Sequence, residues 1–264
     1  MSIALEATPT CEAMRAAALE LALAEVAAVR RADAGAAAAE REAPLTPLAP
    51  LAPLAPLVPL THIDWGAASG AFARELRAAA AAAAPPPARP VHSRSFDILP
   101  LGEEVEFADF ASPPEGSWGV ADGSVDLMSG VANLTNGRDL PGFFWCCARL
   151  LRRGTGVLLL VQPLNFAGAT LALRGVGEVE GLFETVMLRF HDLPVRDKGD
   201  GPSRVVELVL RRTLQPSPTF PGPAVASAAL NRFLRPQRPR HEAAAAAGAA
   251  ALGEAAAVGT AAAA

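Results

Sequence analysis

The chain has 264 residues, a formal net charge of −4 and 51% hydrophobic residues, much of that fraction being alanine. Its longest strongly apolar run, Val157 to Val161, is far short of the roughly 20 residues that span a bilayer, which argues against a transmembrane helix. The acidic balance makes no overall electrostatic case for nucleic acid, and Cys11, Cys146 and Cys147 lack the spacing of a zinc site or a secreted disulfide framework.

Residues 1–43 form the first segment. From Cys11 to Arg31, Met14, Ala18, Leu21, Val26 and Val29 recur at helical spacing with Arg15, Glu20, Glu25 and Arg30 between them. This predicts an amphipathic helix whose apolar face packs either on the rest of the chain or on a partner protein. Glu6, Glu12, Glu20 and Glu25 are unlike a transit peptide, and the basic start and apolar centre of a signal peptide are missing, so a cytoplasmic location is expected. Residues 44–59 repeat a Pro-Leu-small triplet, which forbids helix and central strand and reads as a linker.

Residues 60–215 carry short apolar runs separated by turns and helical stretches, the rhythm of a βαβ domain. Strands are predicted at Leu60 to Asp64, Val91 to Asp97, Val105 to Ala108, Val125 to Ser129, Val157 to Val161, Thr185 to His191 and Val205 to Leu210. Helices are predicted at Ala71 to Ala84, Leu140 to Leu151 and Ala167 to Phe183. Residues 216–264 are a low-complexity tail rich in proline and alanine. Both flanks offer little to bury, so the segments before Pro59 and after Pro216 are expected to be dispensable for the compact fold.

The stretch His62-Ile63-Asp64-Trp65-Gly66-Ala67-Ala68-Ser69-Gly70 runs from a strand through a tight turn into a helix. Glycine there lets the backbone approach a ligand, and such turns are where open α/β sheets bind nucleotides. Asp97 ends the second strand, where a carboxylate can accept from the two hydroxyls of a ribose; Asp109, after the third, can accept from an adenine amino group. Ser129, Asn133 and Asn136 follow the fourth strand and are the candidates for the substrate side. His62, His92, His191 and His241 are not spaced as metal ligands, so no metal is expected and each reads as structural. Trp118 and Phe143 to Trp145 read either as rings stacked on a substrate or as core.

This order of features resembles the class I S-adenosylmethionine-dependent methyltransferases. Asp64 to Gly70 looks like their first motif, Asp97 like the ribose acid and Asp109 like the adenine-side acid. Asp122-Gly-Ser-Val-Asp126 and Ala148-Arg-Leu-Leu-Arg-Arg-Gly154 are similar to the approaches to their fourth and fifth strands. The resemblance implies a Rossmann-like α/β fold with a mostly parallel seven-stranded sheet and helices on both faces. It implies S-adenosylmethionine as cofactor, held by Asp64, Gly66, Ala68, Ser69, Gly70, Asp97 and Asp109. Within the superfamily the short link from Asp97 to Asp109 is similar to the FtsJ-like RNA ribose 2′-O-methyltransferases. Their catalytic set is a Lys-Asp-Lys-Glu tetrad, and here Leu160 and Gln162 stand where a lysine is expected, Gly130 falls near the aspartate, and only Glu207 matches.

The sequence assigns no catalytic residue, and the acceptor is either RNA or a small molecule. The leading reading is an active methyltransferase, because an activated methyl group needs mainly an aligned nucleophile. The competing reading is a catalytically inactive module that keeps the fold and recruits a protein through its N-terminal helix. A dinucleotide-dependent oxidoreductase fits less well, since the loop lacks Gly-x-Gly-x-x-Gly spacing.

Overall fold

The structure, a computed structural model, describes residues 8–42, 58–83, 89–108, 117–131, 140–164, 167–193 and 203–216. Asp109, Asn133, Asn136 and Lys198 lie outside the described residues, as do the linker up to residue 57 and the tail beyond residue 216.

In chain order the elements are α1 (Pro9–Glu42), β1 (Leu60–Trp65), α2 (Ala71–Ala82), β2 (Val91–Asp97), β3 (Val105–Phe107), a 3₁₀ turn (Ser117–Gly119), β4 (Leu127–Val131), α3 (Leu140–Leu150), β5 (Val157–Pro163), α4 (Ala167–Val179), β6 (Phe183–Asp192) and β7 (Arg204–Arg212). The strands make one sheet in the order β3-β2-β1-β4-β5-β7-β6. The first five are parallel to their neighbours, and β7 inserts antiparallel between β5 and β6. This is the Rossmann-like, mostly parallel seven-stranded arrangement expected from the sequence. Strand β5 is buried along Val157 to Gln162, as a strand covered on both faces must be, and its run of aliphatic residues reflects that position.

Among the described residues two helices cover each face. Trp65, Met128, Leu158, Leu160, Leu208 and Leu210 pack with α3 and α4 through Phe144, Cys147, Ala148, Leu173 and Val176. On the other face Leu127, Val157, Leu159, Val161, Val205 and Val209 pack with Met14, Ala18 and Ala22 of α1 and Phe72 and Leu76 of α2. Phe143, Phe144 and Trp145 are buried, which settles their reading as core.

One expectation is corrected here. Helix α1 belongs to the folded body: Thr10, Met14, Ala18, Ala22 and Val26, one every four residues, are all buried against the sheet and α2. The alanines let the helix lie close to the strands, and Thr8 caps it by accepting the Cys11 N–H at 3.2 Å. Thr10 reaches Ser203 at 2.9 Å, while Arg30 donates to the carbonyls of Ala80 and Arg89 at 3.2 and 2.9 Å. Helix α1, in the segment before Pro59, thus supplies part of one layer of the fold. An amphipathic stripe tells which face is buried but not against what.

At the closed end of the sheet, where the parallel strands begin, Asp126 accepts the Thr61 N–H at 2.9 Å and Arg152 Nε–H at 2.8 Å. The Asp122 to Asp126 stretch acts there as a fastening between β1, β4 and the approach to β5. The opposite end, where β1, β2 and β4 finish, carries the predicted ligand loop.

Candidate functional site

The turn after β1 is built on left-handed backbone. Gly66 and Gly70 have φ of 65° and 72°, and Ala68 between them has φ 43°, a conformation that a Cβ disfavours. The turn is fastened to the end of β2: the N–H groups of Gly66 and Ala67 both donate to Phe96 O, at 2.8 and 3.1 Å. Gly70 caps α2 from its left-handed position, and a Cβ there would stand 3.2 Å from Val105.

Asp97 is the pivot of this rim. Its Oδ2 accepts the Ala68 N–H and its Oδ1 accepts the Leu99 N–H, both at 2.8 Å. Each carboxylate oxygen has two lone pairs, so each keeps one for a ligand hydroxyl. The residue is half-buried, and Ile98, Leu99 and Leu101 beside it expose apolar surface. The carboxylate is therefore fixed in place yet still open to a vicinal diol, with apolar surface alongside for a flat base.

The link from β2 to β3 contributes a residue that the sequence reading passed over. Leu101 N–H donates to Ala68 O at 2.9 Å, and Gly102 lies so close that an added Cβ would meet Ser69 O at 2.6 Å. Gly102 has no side chain to hold the two loops apart, so the second loop lies on the first. The link contains no helix, in keeping with its short sequence.

Beneath the loop, on the face covered by α1 and α2, runs a buried polar chain across three strands. His62 Nδ1 meets Ser93 Oγ at 3.0 Å, His62 Nε2 meets Ser129 Oγ at 2.9 Å, and Ser129 Oγ–H donates to Asp64 Oδ1 at 3.0 Å. All four residues are buried, and Phe72 of α2 packs edge-on against the imidazole at 5.9 Å. Burial pushes the His62 pKa down to about 3, helped by the charge of Arg77, so the ring is neutral. The structure thus joins Asp64 and Ser129, predicted for different roles, and adds His62 and Ser93. The signal for His62 was its place two residues before Asp64, which puts both on one face of β1.

On the other face Trp65 and Phe96 stack at 5.2 Å, and Trp118 stands edge-on to Trp65 at 5.4 Å. Trp118 is left-handed at φ 55°, and its carbonyl accepts Arg94 Nη2–H at 2.9 Å. Its neighbours are core rings, so its position supports the packing role of the two that its sequence allowed.

Glu207 lies apart from this group. Its carboxylate is buried, with Oε2 held by Arg189 at 2.7 and 2.8 Å and Oε1 by His191 at 2.6 Å. In the sheet order β5 intervenes between β7 and the strand of Ser129, a separation of about 10 Å at normal strand spacing. Leu160 packs in the core, and Gln162 donates to Gly130 O at 2.9 Å. The described residues include no cluster of three or more His, Cys, Asp or Glu placed to hold a metal, and no helix long and apolar enough to cross a membrane.

No protein-family model and no curated protein matches the chain. Similar solved structures include a S-adenosylmethionine-dependent methyltransferase from Methanosarcina mazei, at 15% identity over 60% of this chain and 94% of that one, with a TM-score of 0.43. A geranyl diphosphate C-methyltransferase from Streptomyces coelicolor is 10% identical over 58% of this chain and 72% of that one, with a TM-score of 0.40. An arsenic(III) S-adenosylmethionine methyltransferase from Chlamydomonas reinhardtii is 14% identical over 63% of this chain and 66% of that one, with a TM-score of 0.39. At such scores the likenesses carry no weight for activity or acceptor, which rest on the chain's own residues.

Proposed function

We propose that the chain is a S-adenosylmethionine-dependent methyltransferase acting on a small-molecule acceptor. The observation that carries the reading is Asp97, fixed by two backbone N–H groups at the end of β2 and still able to accept a diol, beside a left-handed glycine turn. In this arrangement Asp97 takes the ribose hydroxyls, the apolar side chains of Ile98 and Leu99 flank the base, and the Gly66 to Gly70 backbone borders the remainder. When bound, the cofactor supplies a methyl group already activated by its sulfonium, so the protein's task is to align the acceptor and exclude water. Asp109, Asn133 and Asn136 keep the adenine-side and acceptor-side roles assigned from the sequence.

The small-molecule acceptor is preferred to RNA because the tetrad chemistry of the FtsJ-like group has no lysine to use at Leu160 or Gln162, and Glu207 is already held by Arg189 and His191. The helix-free β2–β3 link and the presence of an acid at Glu207 are the features that favour that group.

Calorimetric titration of the full chain with S-adenosylmethionine, S-adenosylhomocysteine and NAD tests the reading. Binding of the first two and not the third is expected. Asp97→Ala should weaken that binding by roughly 1.5–3 kcal/mol, the range for hydrogen bonds to a charged group. Binding of NAD alone, or no loss in a folded Asp97→Ala variant, would remove the assignment.

A further inference from the structure

We infer that Arg74 is a positioning residue: its guanidinium, bonded to the Ser69 carbonyl, keeps the turn after β1 in the left-handed form that fixes Asp97 for the ligand. The inference rests on the S-adenosylmethionine reading and adds a residue of α2 that sets up the site without touching the ligand.

The turn has a strained member. Ala68 has φ 43°, in the left-handed region that its Cβ disfavours, and such a conformation persists only where its surroundings hold it. The bonds around it show how it is held. Ala67 O accepts Gly70 N–H at 2.7 Å, Ala68 O accepts Leu101 N–H at 2.9 Å, and Ser69 O accepts Arg74 Nη1–H at 2.7 Å. Three successive carbonyls are thus tied down, two by backbone and the last by a charged side chain. A Cβ on Gly70 would stand 3.4 Å from Arg74 Nη1, so the guanidinium folds back over the turn. The Ala68 N–H, whose direction follows from this backbone, is the donor to Asp97 Oδ2. A turn that relaxes out of the left-handed region swings this N–H away and releases the carboxylate. Arg74 therefore acts on the diol site through Ser69 and Ala68.

The start of α2 is an unfavourable place for a cation. Arg74 is the fourth residue of the helix and stands near the positive end of its dipole, Gly70 offers no side-chain cap, and the first turn has no acid to offset the charge. The bond to Ser69 O offsets this by setting the guanidinium on a carbonyl just outside the helix. The next arginine of α2 is used differently: Arg77 Nη2–H donates to Glu104 Oε2 at 2.8 Å and ties the helix to the β2–β3 link. Helix α2 thus holds the turn and the link that crosses it through two separate arginines. Arg74 is exposed, so replacing it leaves the core untouched.

Two probes separate positioning from direct contact. S-adenosylhomocysteine carries an amino-acid end; 5′-methylthioadenosine has the same nucleoside and lacks that end. Affinities for both are measured by calorimetry with wild type, Arg74→Met, Arg74→Lys, and Arg74→Met combined with Ala68→Gly. Arg74→Met is expected to lose about three- to tenfold for both probes, the scale of one surface hydrogen bond from a charged group. Arg74→Lys keeps a charged donor and should recover part of the loss. Ala68→Gly should recover most of it, because glycine takes a left-handed φ without strain. A loss confined to S-adenosylhomocysteine would mean that Arg74 meets the ligand's carboxylate directly, and it overturns the positioning role. Unchanged affinity in Arg74→Met, lysine no better than methionine, or a loss that Ala68→Gly does not relieve overturns it too, and each of these leaves the cofactor reading intact. Wild type that binds neither probe overturns both.

Discussion

At the scale of single residues, a histidine kept neutral inside the sheet couples stability to pH. His62 titrates near 6.5 in the unfolded chain and near 3 in the folded one, because burial and then the Arg77 charge disfavour its cation. Between those values the unfolded state binds the extra proton. Stability is therefore fully present above about pH 6.5 and falls as the pH drops toward 3, by up to about 1.4 kcal/mol per pH unit from this group. Urea unfolding at pH 7, 6, 5 and 4 should show a shallower decline for His62→Gln than for wild type, and equal slopes would contradict the buried neutral ring. Gly102 is the other residue with a sharp expectation. A Cβ 2.6 Å from Ser69 O has only backbone to push against, so Gly102→Ala should displace the ligand turn and weaken S-adenosylhomocysteine binding with little change in far-ultraviolet dichroism. Unaltered affinity in that variant would show that the two loops are not in register as described.

Among the elements, α1 has most at stake, because removing it uncovers Leu127, Leu159 and Val161 at the middle of the sheet. Burying Met14 or Val26 contributes about 1.5–3 kcal/mol each, and domains of this size hold a net stability of only about 5–15 kcal/mol. Met14→Ala should cost about 2–5 kcal/mol in urea unfolding, and a chain beginning at Leu57 should lose cooperative unfolding altogether. A cooperative transition in that truncated chain would place α1 outside the core. The strands were largely legible beforehand because aliphatic runs such as Val157 to Val161 are bounded by turn residues. The observed β2, Val91 to Asp97, has the predicted bounds, whereas β4 begins two residues later than Val125, which makes only an isolated bridge to Leu151. Helix α4 stops at Val179 rather than Phe183, since Gly181 takes a left-handed turn that starts β6. The glycine turn and Asp97 were readable because they follow strand ends. The Ser93-His62-Ser129-Asp64 chain was not, for it depends on which three strands become neighbours.

For the molecule as a whole, the open question of acceptor chemistry can be approached through its one lysine. The chain carries Lys198 and no other lysine, with a net charge of −4. A ribose 2′-hydroxyl is a weak acid, and the tetrad chemistry that methylates it draws on a lysine of depressed pKa. The positions where such a lysine is expected are occupied by Leu160, packed in the core, and by Gln162, tied to the Gly130 carbonyl. The matching acid is also committed, since Arg189 and His191 hold both oxygens of Glu207. Arginine does not stand in as a base, because its guanidinium stays protonated. Lys198 lies in the Asp197-Lys-Gly-Asp-Gly201 sequence, away in the chain from the positions where the tetrad lysine is expected. A net charge of −4 adds no attraction for a polyanion. Methyl transfer from S-adenosylmethionine should accordingly be absent on RNA and, where a small acceptor is turned over, unchanged within about twofold in Lys198→Met. The measurement is transfer of labelled methyl by wild type and Lys198→Met to RNA and to a panel of hydroxyl, amine and thiol acceptors. RNA methylation abolished by Lys198→Met would return the chain to the 2′-O group and reverse the choice of acceptor made from Leu160 and Gln162.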